Sequence, residues 1–341
     1  MKLVSLASHF PDQSFTQEEC LAEMRRAPFW NNLRDRSRQI LENVFGSDTG
    51  IKKRHFAIDD LREVWGRNAE ELNHHYETTA PVIGAGAVLK ALNKAGLEAD
   101  DIDVLLVSSC TGYLCPGISG YVAERLGCKE KIHTQDVTGH GCGAAIPLTQ
   151  IAHGYTKMMP GACVVTLSLE VCSAAFYVSD EPDVLISTCL FGDGAAASVW
   201  SSDSGEYEVS GYRSLLIPSD REKIRFVNSG GKLKNQLHKS VPTMSAGAVS
   251  RLYESSSRPP KVISHGGGRD VILALEKGLG LGELKEAREV LSEYGNLSSP
   301  SVMVALERYL DGDASEDNMW LTSFGAGFSA HAMELKKSTL P

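Results

Sequence analysis

The chain has 341 residues, 42% of them hydrophobic and 23% charged, and a formal net charge of −9. It is long enough for a substantial core or for two fused halves, and its composition is typical of a soluble globular protein. The negative charge gives no electrostatic support to nucleic-acid binding, so we expect no nucleic-acid partner.

The first half of the chain mixes predicted helices and strands. Residues 1–11 are apolar over too short a stretch for a signal peptide and predict a first strand. Residues 14–80 look helical and amphipathic, apart from a basic run at 52–54 that we interpret as a solvated face or ligand contact. Residues 79–97 predict a helix that ends at Gly96. Further strands are predicted at 103–109, which is apolar enough to be buried on both faces, and at 131–136, 162–168 and 195–200.

The longest stretch without Asp, Glu, Lys or Arg is 137–156, with four glycines, Pro147 and two histidines. We interpret it as a buried helix with its entry turn, since a membrane span would be more uniformly apolar. The eight cysteines form no CxxC pairs and show no metal-ligand spacing. We therefore expect no metal site, and a cytoplasmic protein whose cysteines mostly pack as small hydrophobes.

The second half repeats the alternation. Strands are predicted at 208–214, 261–265, 319–323 and 328–335, and helices at 269–279 and 299–310. Phe-Gly-Asp-Gly (191–194) and Phe-Gly-Ala-Gly (324–327) each precede a predicted strand, like equivalent corners of two related halves. The pattern predicts an α/β fold of stacked layers with buried sheets.

Cys142 lies in the turn between the predicted strand at 131–136 and the buried helix. The dipole and free N–H groups of a helix N-terminus favour a thiolate, which is a nucleophile. His265 opens a glycine-rich turn and Asn296 lies in Tyr-Gly-Asn. Cys, His and Asn at such junctions indicate covalent thioester chemistry, and we expect His265 to pair as a cation with the resting thiolate.

Five segments carry a resemblance to a known family. They are Gly-Cys-Gly-Ala-Ala (141–145), Leu-Phe-Gly-Asp-Gly-Ala-Ala-Ala (190–197), His-Gly-Gly-Gly-Arg (265–269), Ser-Glu-Tyr-Gly-Asn-Leu-Ser-Ser (292–299) and Phe-Gly-Ala-Gly (324–327). In order and spacing they resemble the signature segments of type III polyketide synthases, the chalcone and stilbene synthase family of the thiolase superfamily. Thr-Gly-Tyr-Leu-Cys-Pro-Gly (111–117) looks like the bacterial members.

The resemblance implies a thiolase-like fold of two related βαβαβαββ halves, 1–203 with the Cys and 204–341 with the His and Asn, in αβαβα layers. It implies an acyltransferase that joins an acyl starter to a malonyl-type thioester by decarboxylative Claisen condensation. It also implies a homodimer that needs no cofactor beyond its thioester substrates, carried on CoA or on an acyl carrier protein.

The same resemblance gives individual residues their expected roles. Cys142 is the acyl-accepting nucleophile, and His265 and Asn296 hydrogen-bond the extender carbonyl. The oxyanion of the condensation is expected to meet the Cys142 amide and an amide from the loop Gly325, Ala326 and Gly327. Substrate contacts are expected from Phe191 at the mouth of the site, from Glu170, Cys172 and Ala175 in the pocket, and from Cys115 across the dimer.

Several positions depart from the family pattern. Leu41, Val44 and Asp48 stand where plant members carry basic residues for the CoA phosphates, so carrier-protein thioesters remain an alternative. Asn235 falls where the family's second gatekeeping Phe lies, which predicts a reshaped pocket. Gly266 replaces a proline after the histidine, which loosens that turn.

Other polar residues are expected to be structural. We expect His74 and His75 on an exposed helix face and Asp193 in its turn. Arg269 is expected to cap or salt-bridge its own helix, and His140 lies beside Cys142 without an expected catalytic role.

Three other functions fit parts of the pattern. A single-round condensing enzyme of the β-ketoacyl synthase III type would use carrier-bound chains. A Cys-His-Asn hydrolase would use the same residue order, although the aromatic motif of papain-like proteases is absent around Cys142. A non-catalytic relative would serve as a structural partner.

Overall fold

The structure is a computed structural model that describes residues 1–312 and 314–338. Its strands lie at β1 Lys2–His9, β2 Ser14–Thr16, β3 Lys53–His55, β4 Ile102–Ser108, β5 His133–Val137, β6 Cys163–Glu170, β7 Gly194–Ser201, β8 Tyr207–Leu216, β9 Ile224–Ser229, β10 Lys232–Leu237, β11 Lys261–Ser264, β12 Asn318–Gly325 and β13 Ser329–Lys337. Its helices lie at α1 Gln17–Arg26, α2 Asp35–Gly46, α3 Ala69–Ala95, α4 Ile118–Leu126, α5 Ala145–Met158, α6 Pro182–Leu190, α7 Val241–Glu254, α8 Arg269–Leu279, α9 Lys285–Tyr294 and α10 Ser301–Asp311.

The main sheet has nine strands in the order β11-β12-β13-β8-β1-β7-β6-β4-β5. Strands from before residue 203 form one side of this sheet, and strands from after it form the other. The two sides join where Lys2 and Leu3 of β1 pair with Glu208 and Tyr207 of β8. The division of the chain at 203 into two related halves stays a prediction, which this grouping of strands fits.

Three hydrophobic clusters show how the layers stack. One cluster packs α3 and α4 on the outer face of the first group of strands. A second places α5 and α10 between the two groups, and a third packs α7, α8 and α9 on the outer face of the second group. The predicted α/β fold with αβαβα layers is confirmed.

The helical prediction for residues 14–80 is wrong at 14–16 and over much of 47–68. The short strands β2 and β3 pair with each other there, and α2 ends at Gly46. The single long helix α3 begins at Ala69, where the Asn68 side chain accepts a hydrogen bond from the Glu71 amide (3.0 Å) and the Glu71 carboxylate accepts one from the Asn68 amide (2.7 Å). This reciprocal cap at Asn68 and Glu71 defines where α3 begins, which the distribution of charged residues along the sequence does not. The helix ends before Gly96, as predicted.

A two-stranded hairpin, β9–β10, stands outside the main sheet. Its strands pair in antiparallel register, with Asn235 opposite Phe226. The hairpin was not predicted, because its alternating apolar residues are interrupted by lysines and an asparagine. No helix within the described residues is both long and apolar enough to cross a bilayer.

Candidate active site

Cys142 lies in a 3-10 turn, Gly141–Gly143, between the end of β5 and the start of α5. Gly141 has a φ of 54°, a conformation that favours glycine. The backbone of Gly325 passes so close that a Cβ there would lie 3.0 Å from the Cys142 amide nitrogen and 2.6 Å from that of Gly143. The loop 325–327 therefore packs directly against the amide of the nucleophile, as the oxyanion expectation requires.

His265 directly follows β11, and its amide donates to the Thr322 carbonyl at 2.9 Å. Its side chain is 1% exposed and lies 5.0 Å from the Phe324 ring, measured between ring centroids. Its Nδ1 is buried without a hydrogen-bond partner among the described residues. The imidazole is therefore held by its backbone and by packing, and Nε2 is left to meet a ligand.

Asn296 is held by both its backbone and its side chain. Its amide donates to the Leu190 carbonyl (2.9 Å), and its carbonyl accepts from Gly192 (3.1 Å), which ties it to the corner that carries Phe191. Its Nδ2 donates to the Gly267 carbonyl, and its Oδ1 accepts from the Ser298 amide, both at 2.8 Å. The second N–H of Nδ2 remains available to a substrate.

The three predicted catalytic residues line one cavity of about 590 Å³. Each comes from a different part of the chain, so their convergence depends on the fold and not on sequence proximity. The cavity is lined by Gly141, Cys142, Leu190, Phe191, Ile224, Arg225, Phe226, Asn235, Leu237, Val241, His265, Gly267, Val271, Asn296, Phe324 and Ala326.

The expected thiolate–imidazolium pair stays a prediction, and the burial of both groups opposes it. Burial raises the pKa of the Cys142 thiol to about 12, although a hydrogen bond from Ser298 opposes the shift. Burial also lowers the pKa of His265 to about 4. Loss of solvation disfavours the charged form of each group and outweighs the helix N-terminus. Burial of both groups therefore favours a thiol and a neutral imidazole in the empty site.

Ser298 is a site residue that the sequence did not predict. Its Oγ lies 3.2 Å from Cys142 Sγ and 3.4 Å from Glu170 Oε1. Its backbone has a φ of 60°, which a non-glycine residue adopts only when its surroundings hold it there. The Ser-Ser pair at the end of the family motif, of which Ser298 is the first member, was a signal that could have pointed to it.

Glu170 lies behind the cavity wall and does not line the pocket as predicted. It is fully buried and accepts hydrogen bonds from the Cys110 amide (3.0 Å), Thr111 Oγ1 (3.0 Å) and Ser299 Oγ (2.7 Å). Burial raises its pKa, and these bonds counter that effect. Its role in this structure is to hold the residues under Cys142.

A second cavity, called the inner cavity below, adjoins the first, and its empty space is about 390 Å³ with the part open to solvent included. It is lined by Thr111, Cys172, Ala175, Phe176, Tyr177, Val184, Ser187, Thr188, Phe191, Phe226, Leu233, Asn235 and Ser298. The predicted pocket residues Cys172, Ala175, Phe191 and Asn235 are thus brought together. Cys115 is exposed and lines neither cavity.

Phe226, another residue that the sequence did not predict, lies on both cavity walls directly across the hairpin from Asn235. The aromatic group expected near position 235 is therefore supplied by the facing strand. Sequence alone could not show this, because the pairing register of the hairpin sets which residues are opposite each other.

The basic run at 52–54 is not a solvated face at its last residue, Arg54. Arg54 is 0% exposed, and its Nη1 donates to the carbonyls of Thr188 (2.7 Å) and Phe191 (3.0 Å). Its Nε donates to Gln17 Oε1 at 2.9 Å. Arg54 thus holds the backbone of the aromatic residue that separates the two cavities.

The positions aligned with the CoA-binding residues of plant members differ in character. Leu41 is fully buried in the core, and Val44 packs against the same core. Asp48 is exposed, and the Arg269 guanidinium donates to its carbonyl and lies 3.5 Å from its carboxylate. The expected ion pair of Arg269 is therefore made with this loop and not within its own helix.

His75 is buried and not exposed as predicted, whereas His74 is exposed. His75 Nε2 lies 3.0 Å from Ser173 Oγ, which donates to Asp193 Oδ2 at 2.6 Å. Asp193 also accepts from the amides of Ser173 and Ala57, both at 2.8 Å, so it holds its turn as predicted. His140 lies outside the lining of both cavities, and its ring meets that of His331 edge to face, with 5.6 Å between the ring centroids.

Comparison with known families and proteins agrees with this geometry. Residues 14–217 match the family model described as FAE1/type III polyketide synthase-like protein. Residues 260–337 match the model of the C-terminal region of 3-oxoacyl-[acyl-carrier-protein] synthase III.

Relatives of similar length match over most of the chain. A 1,3,6,8-tetrahydroxynaphthalene synthase of Streptomyces coelicolor is 28% identical over 94% of this chain and 88% of its own. A 3,5-dihydroxyphenylacetyl-CoA synthase of Amycolatopsis orientalis is 28% identical over 79% of this chain and 77% of its own. A crystal structure of the S. coelicolor tetrahydroxynaphthalene synthase, titled a bacterial type III polyketide synthase, superimposes with a TM-score of 0.87 at 26% identity, over 99% of this chain and 100% of that one.

Proposed function

The chain belongs to the FAE1/type III polyketide synthase-like family, and on this premise we propose that Cys142, His265 and Asn296 carry its chemistry. It is an acyltransferase with a thiolase-like fold that joins an acyl thioester to a malonyl-type thioester by decarboxylative Claisen condensation. The observation that carries the residue assignment is the convergence of all three side chains on one cavity. That cavity supplies a nucleophile and donors, so the proposed reaction needs no metal or further cofactor.

The first step loads the starter onto Cys142. The sulfur attacks the thioester carbonyl, the carbon–sulfur bond to the carrier breaks, and the thiol proton passes to the departing thiolate. The proton moves in concert with the attack, and His265, whose ring lines the same cavity, is the proposed relay. Ser298, 3.2 Å from the sulfur, donates to it as negative charge develops.

The second step generates the carbon nucleophile. Cleavage of the bond to the malonyl carboxylate releases CO₂ and leaves its electron pair on the thioester as an enolate. The enolate oxygen meets His265 Nε2–H and the free N–H of Asn296 Nδ2. A preorganised donor of this kind typically contributes about 2.7–4 kcal/mol to the rate, and a neutral imidazole donates when Nε2 carries its proton.

The third step forms the new carbon–carbon bond. The enolate carbon attacks the acyl-Cys142 carbonyl, and the tetrahedral oxyanion meets the Cys142 amide and the loop 325–327. Collapse expels the Cys142 thiolate, which is reprotonated, and releases a chain two carbons longer with a β-keto group. Gly325 supports this assignment, since its backbone contacts the 141–143 turn closely.

We further propose that the donor is a CoA thioester and that several extensions follow. One relative is named for a CoA product, and the names 1,3,6,8-tetrahydroxynaphthalene and 3,5-dihydroxyphenylacetyl place oxygens on alternate ring carbons. That pattern is what remains when a poly-β-keto chain closes into a ring. The family match favours this iterative route over a single-round reaction on a carrier protein.

We also propose a homodimer. The main sheet ends at β5, whose outer edge is unpaired among the described residues. The loop after β4, the strand next to β5, carries Tyr113, which is 80% exposed, and Cys115, which is also exposed. A second copy would cover this surface, which places Cys115 next to the partner as the family resemblance implies. Light scattering after size exclusion would test it, and a monomer at micromolar concentration would contradict it.

The function is tested with purified protein, acyl-CoA starters of increasing length and malonyl-CoA, with malonyl carrier protein in parallel. Products are read by mass spectrometry. We expect the wild-type protein to give poly-β-keto-derived products from CoA thioesters, with or without a metal chelator. We expect Cys142→Ala to give none. Condensation by Cys142→Ala at the normal rate would overturn the residue assignment, and products from carrier-protein thioesters alone would overturn the choice of donor.

A further inference from the structure

The hairpin β9–β10 presents one side of its strands to the two cavities, and Arg225 from the other side also lines the catalytic cavity. Because side chains alternate along a strand, Ile224 and Phe226 share this face with Leu233, Asn235 and Leu237, and all five line a cavity. Four are apolar, so Asn235 breaks the pattern of the face. It is also the most deeply buried residue of the hairpin, with only 7% of its surface exposed.

The Asn235 carboxamide makes no hydrogen bond to any other residue of the described chain, and its polar atoms face the cavity space. When a chain fills the cavity and displaces water from this carboxamide, leaving the amide unpaired is unfavourable, which makes a polar group of the ligand its natural partner. Neighbouring hydroxyls are already engaged, because Ser187 donates to the Asp183 carbonyl and Thr188 to the Leu185 carbonyl, both at 2.7 Å. The asparagine thus offers a polar group that the protein itself does not use.

Its position is also distinctive. Phe191, Phe226 and Asn235 are shared by the linings of the catalytic and inner cavities and so form the partition between them. Cys142 lies on one side, and Ser298, which contacts its sulfur, opens on the other. A chain that grows from Cys142 into the inner cavity must pass Asn235.

We propose that Asn235 Nδ2 donates a hydrogen bond to a β-keto oxygen of the chain attached to Cys142. The role rests on the proposed acyl-Cys142 function and makes Asn235 a specificity-determining residue. A saturated chain leaves the carboxamide unpaired between Phe191 and Phe226, whereas a 3-oxoacyl chain satisfies it. The site therefore selects chains that have already been extended.

The test compares hexanoyl-CoA with 3-oxohexanoyl-CoA, which differ by one carbonyl. Formation of the acyl-Cys142 adduct is followed by intact-protein mass, and kcat/KM for acylation is measured for each. We expect the wild-type protein to prefer the 3-oxo substrate about fivefold to tenfold, the range of one neutral hydrogen bond. The preference is expected in KM, since the bond forms in the ground state as well as the transition state.

Asn235→Leu keeps the volume and removes the donor, so it is expected to lower the preference to about one. Asn235→Ala serves as a second variant in which no larger side chain must fit, and we expect the same loss. Gln236→Leu changes the adjacent carboxamide on the other face of the hairpin and is expected to leave the preference intact.

An unchanged preference in both Asn235 variants overturns the inference. Acylation by hexanoyl-CoA in the same samples shows that the proposed function still holds, so the two failures are distinguishable. A wild-type protein without any preference for the 3-oxo substrate overturns the inference as well.

Discussion

The catalytic residues and the hairpin wall share one cavity but are held in different ways. Cys142 and Asn296 are positioned by backbone contacts, through Gly325 at the turn of the nucleophile and through Leu190 and Gly192 at the asparagine. The hairpin β9–β10 instead presents side chains from a two-stranded unit outside the main sheet. A close backbone contact such as that of Gly325 requires glycine at a defined position. In the hairpin, by contrast, a large side chain on one strand can replace a large side chain at the facing position on the other strand. The catalytic residues therefore lie in short sequence motifs, whereas the residues that we expect to set substrate specificity lie in the hairpin wall.

The largest expected effect comes from disturbing a backbone contact under the nucleophile. In Gly325→Ala, the new Cβ would lie 2.6 Å from the Gly143 nitrogen and 2.7 Å from the His140 carbonyl oxygen. Backbone must shift, and misplacement of this kind can slow a reaction about 100-fold. We expect condensation, measured by radiolabelled malonyl-CoA incorporation, to fall by about that factor or more.

Gly154→Ala is the matched control, since a Cβ at that position in α5 meets nothing within 4 Å. Alanine favours the helix by about 0.8–1.0 kcal/mol over glycine, so we expect full activity and a slightly higher Tm. Wild-type condensation by Gly325→Ala would show that the nucleophile does not depend on this contact.

The next effect is on acid stability and concerns His265. Its pKa is about 4 in the folded chain, below the ordinary value of 6.5, because the ring is buried. The unfolded state therefore takes up the proton first, so stability is complete above pH 6.5, falls as the pH drops and levels off below pH 4. The full loss from this residue is about 3 kcal/mol.

Urea unfolding between pH 7 and pH 4 measures this dependence. His265→Gln is expected to reduce the slope without abolishing it, because burial also lowers the pKa of His75 and of His331 to about 4. His238→Gln, at the exposed end of the hairpin, serves as the control variant. Equal slopes in wild-type and His265→Gln protein would mean that the imidazole is solvated and not buried.

A smaller effect is expected from Ser298→Ala. The variant loses the hydroxyl 3.2 Å from the nucleophilic sulfur, whose hydrogen bond lowers the pKa of Cys142. A hydrogen bond to a charged group contributes about 1.5–3 kcal/mol, so we expect iodoacetamide alkylation of Cys142 to slow about tenfold at fixed pH. Ser301→Ala removes a buried hydroxyl without a partner among the described residues and should leave the rate unchanged. If Cys142 were alkylated at the same rate in Ser298→Ala as in the wild-type protein, Ser298 would have no role in activating the sulfur.

The smallest effect on rate, but a change of product, is expected from the hairpin. Phe226→Leu widens the partition between the two cavities without touching Cys142, His265 or Asn296. Malonyl-CoA decarboxylation should stay within about threefold of wild type, since no transition-state contact is removed, while products shift towards longer chains. Val227→Leu, on the opposite face of the same strand, is the control. Unchanged product lengths would mean that Phe226 does not limit the chain.

The sequence could predict the catalytic part because short motifs mark backbone geometry. Gly-Cys-Gly and Phe-Gly-Ala-Gly identify a turn and a loop that must approach each other, and both lie where expected. The layered fold followed from the alternation of apolar strands and helices, and the end of α3 from a single glycine.

Residues whose roles depend on burial or on pairing across the fold could not be predicted. Arg54 lies in a basic run that looks solvated, and His75 in a charged helix, yet both are buried by contacts from distant segments. The charge states of Cys142 and His265 depend on desolvation, which a sequence does not show. Phe226 is defined as a wall residue only by the register of the hairpin.

The most direct measurement is the intact mass of the protein after incubation with an acyl-CoA starter, followed by peptide mapping. We predict one acyl group per chain, located on the peptide that contains Cys142 and absent from Cys142→Ala. When malonyl-CoA is added, we expect the acyl group to leave Cys142 and an extended chain to be released. An adduct on another cysteine, or turnover without any adduct at Cys142, would contradict the account.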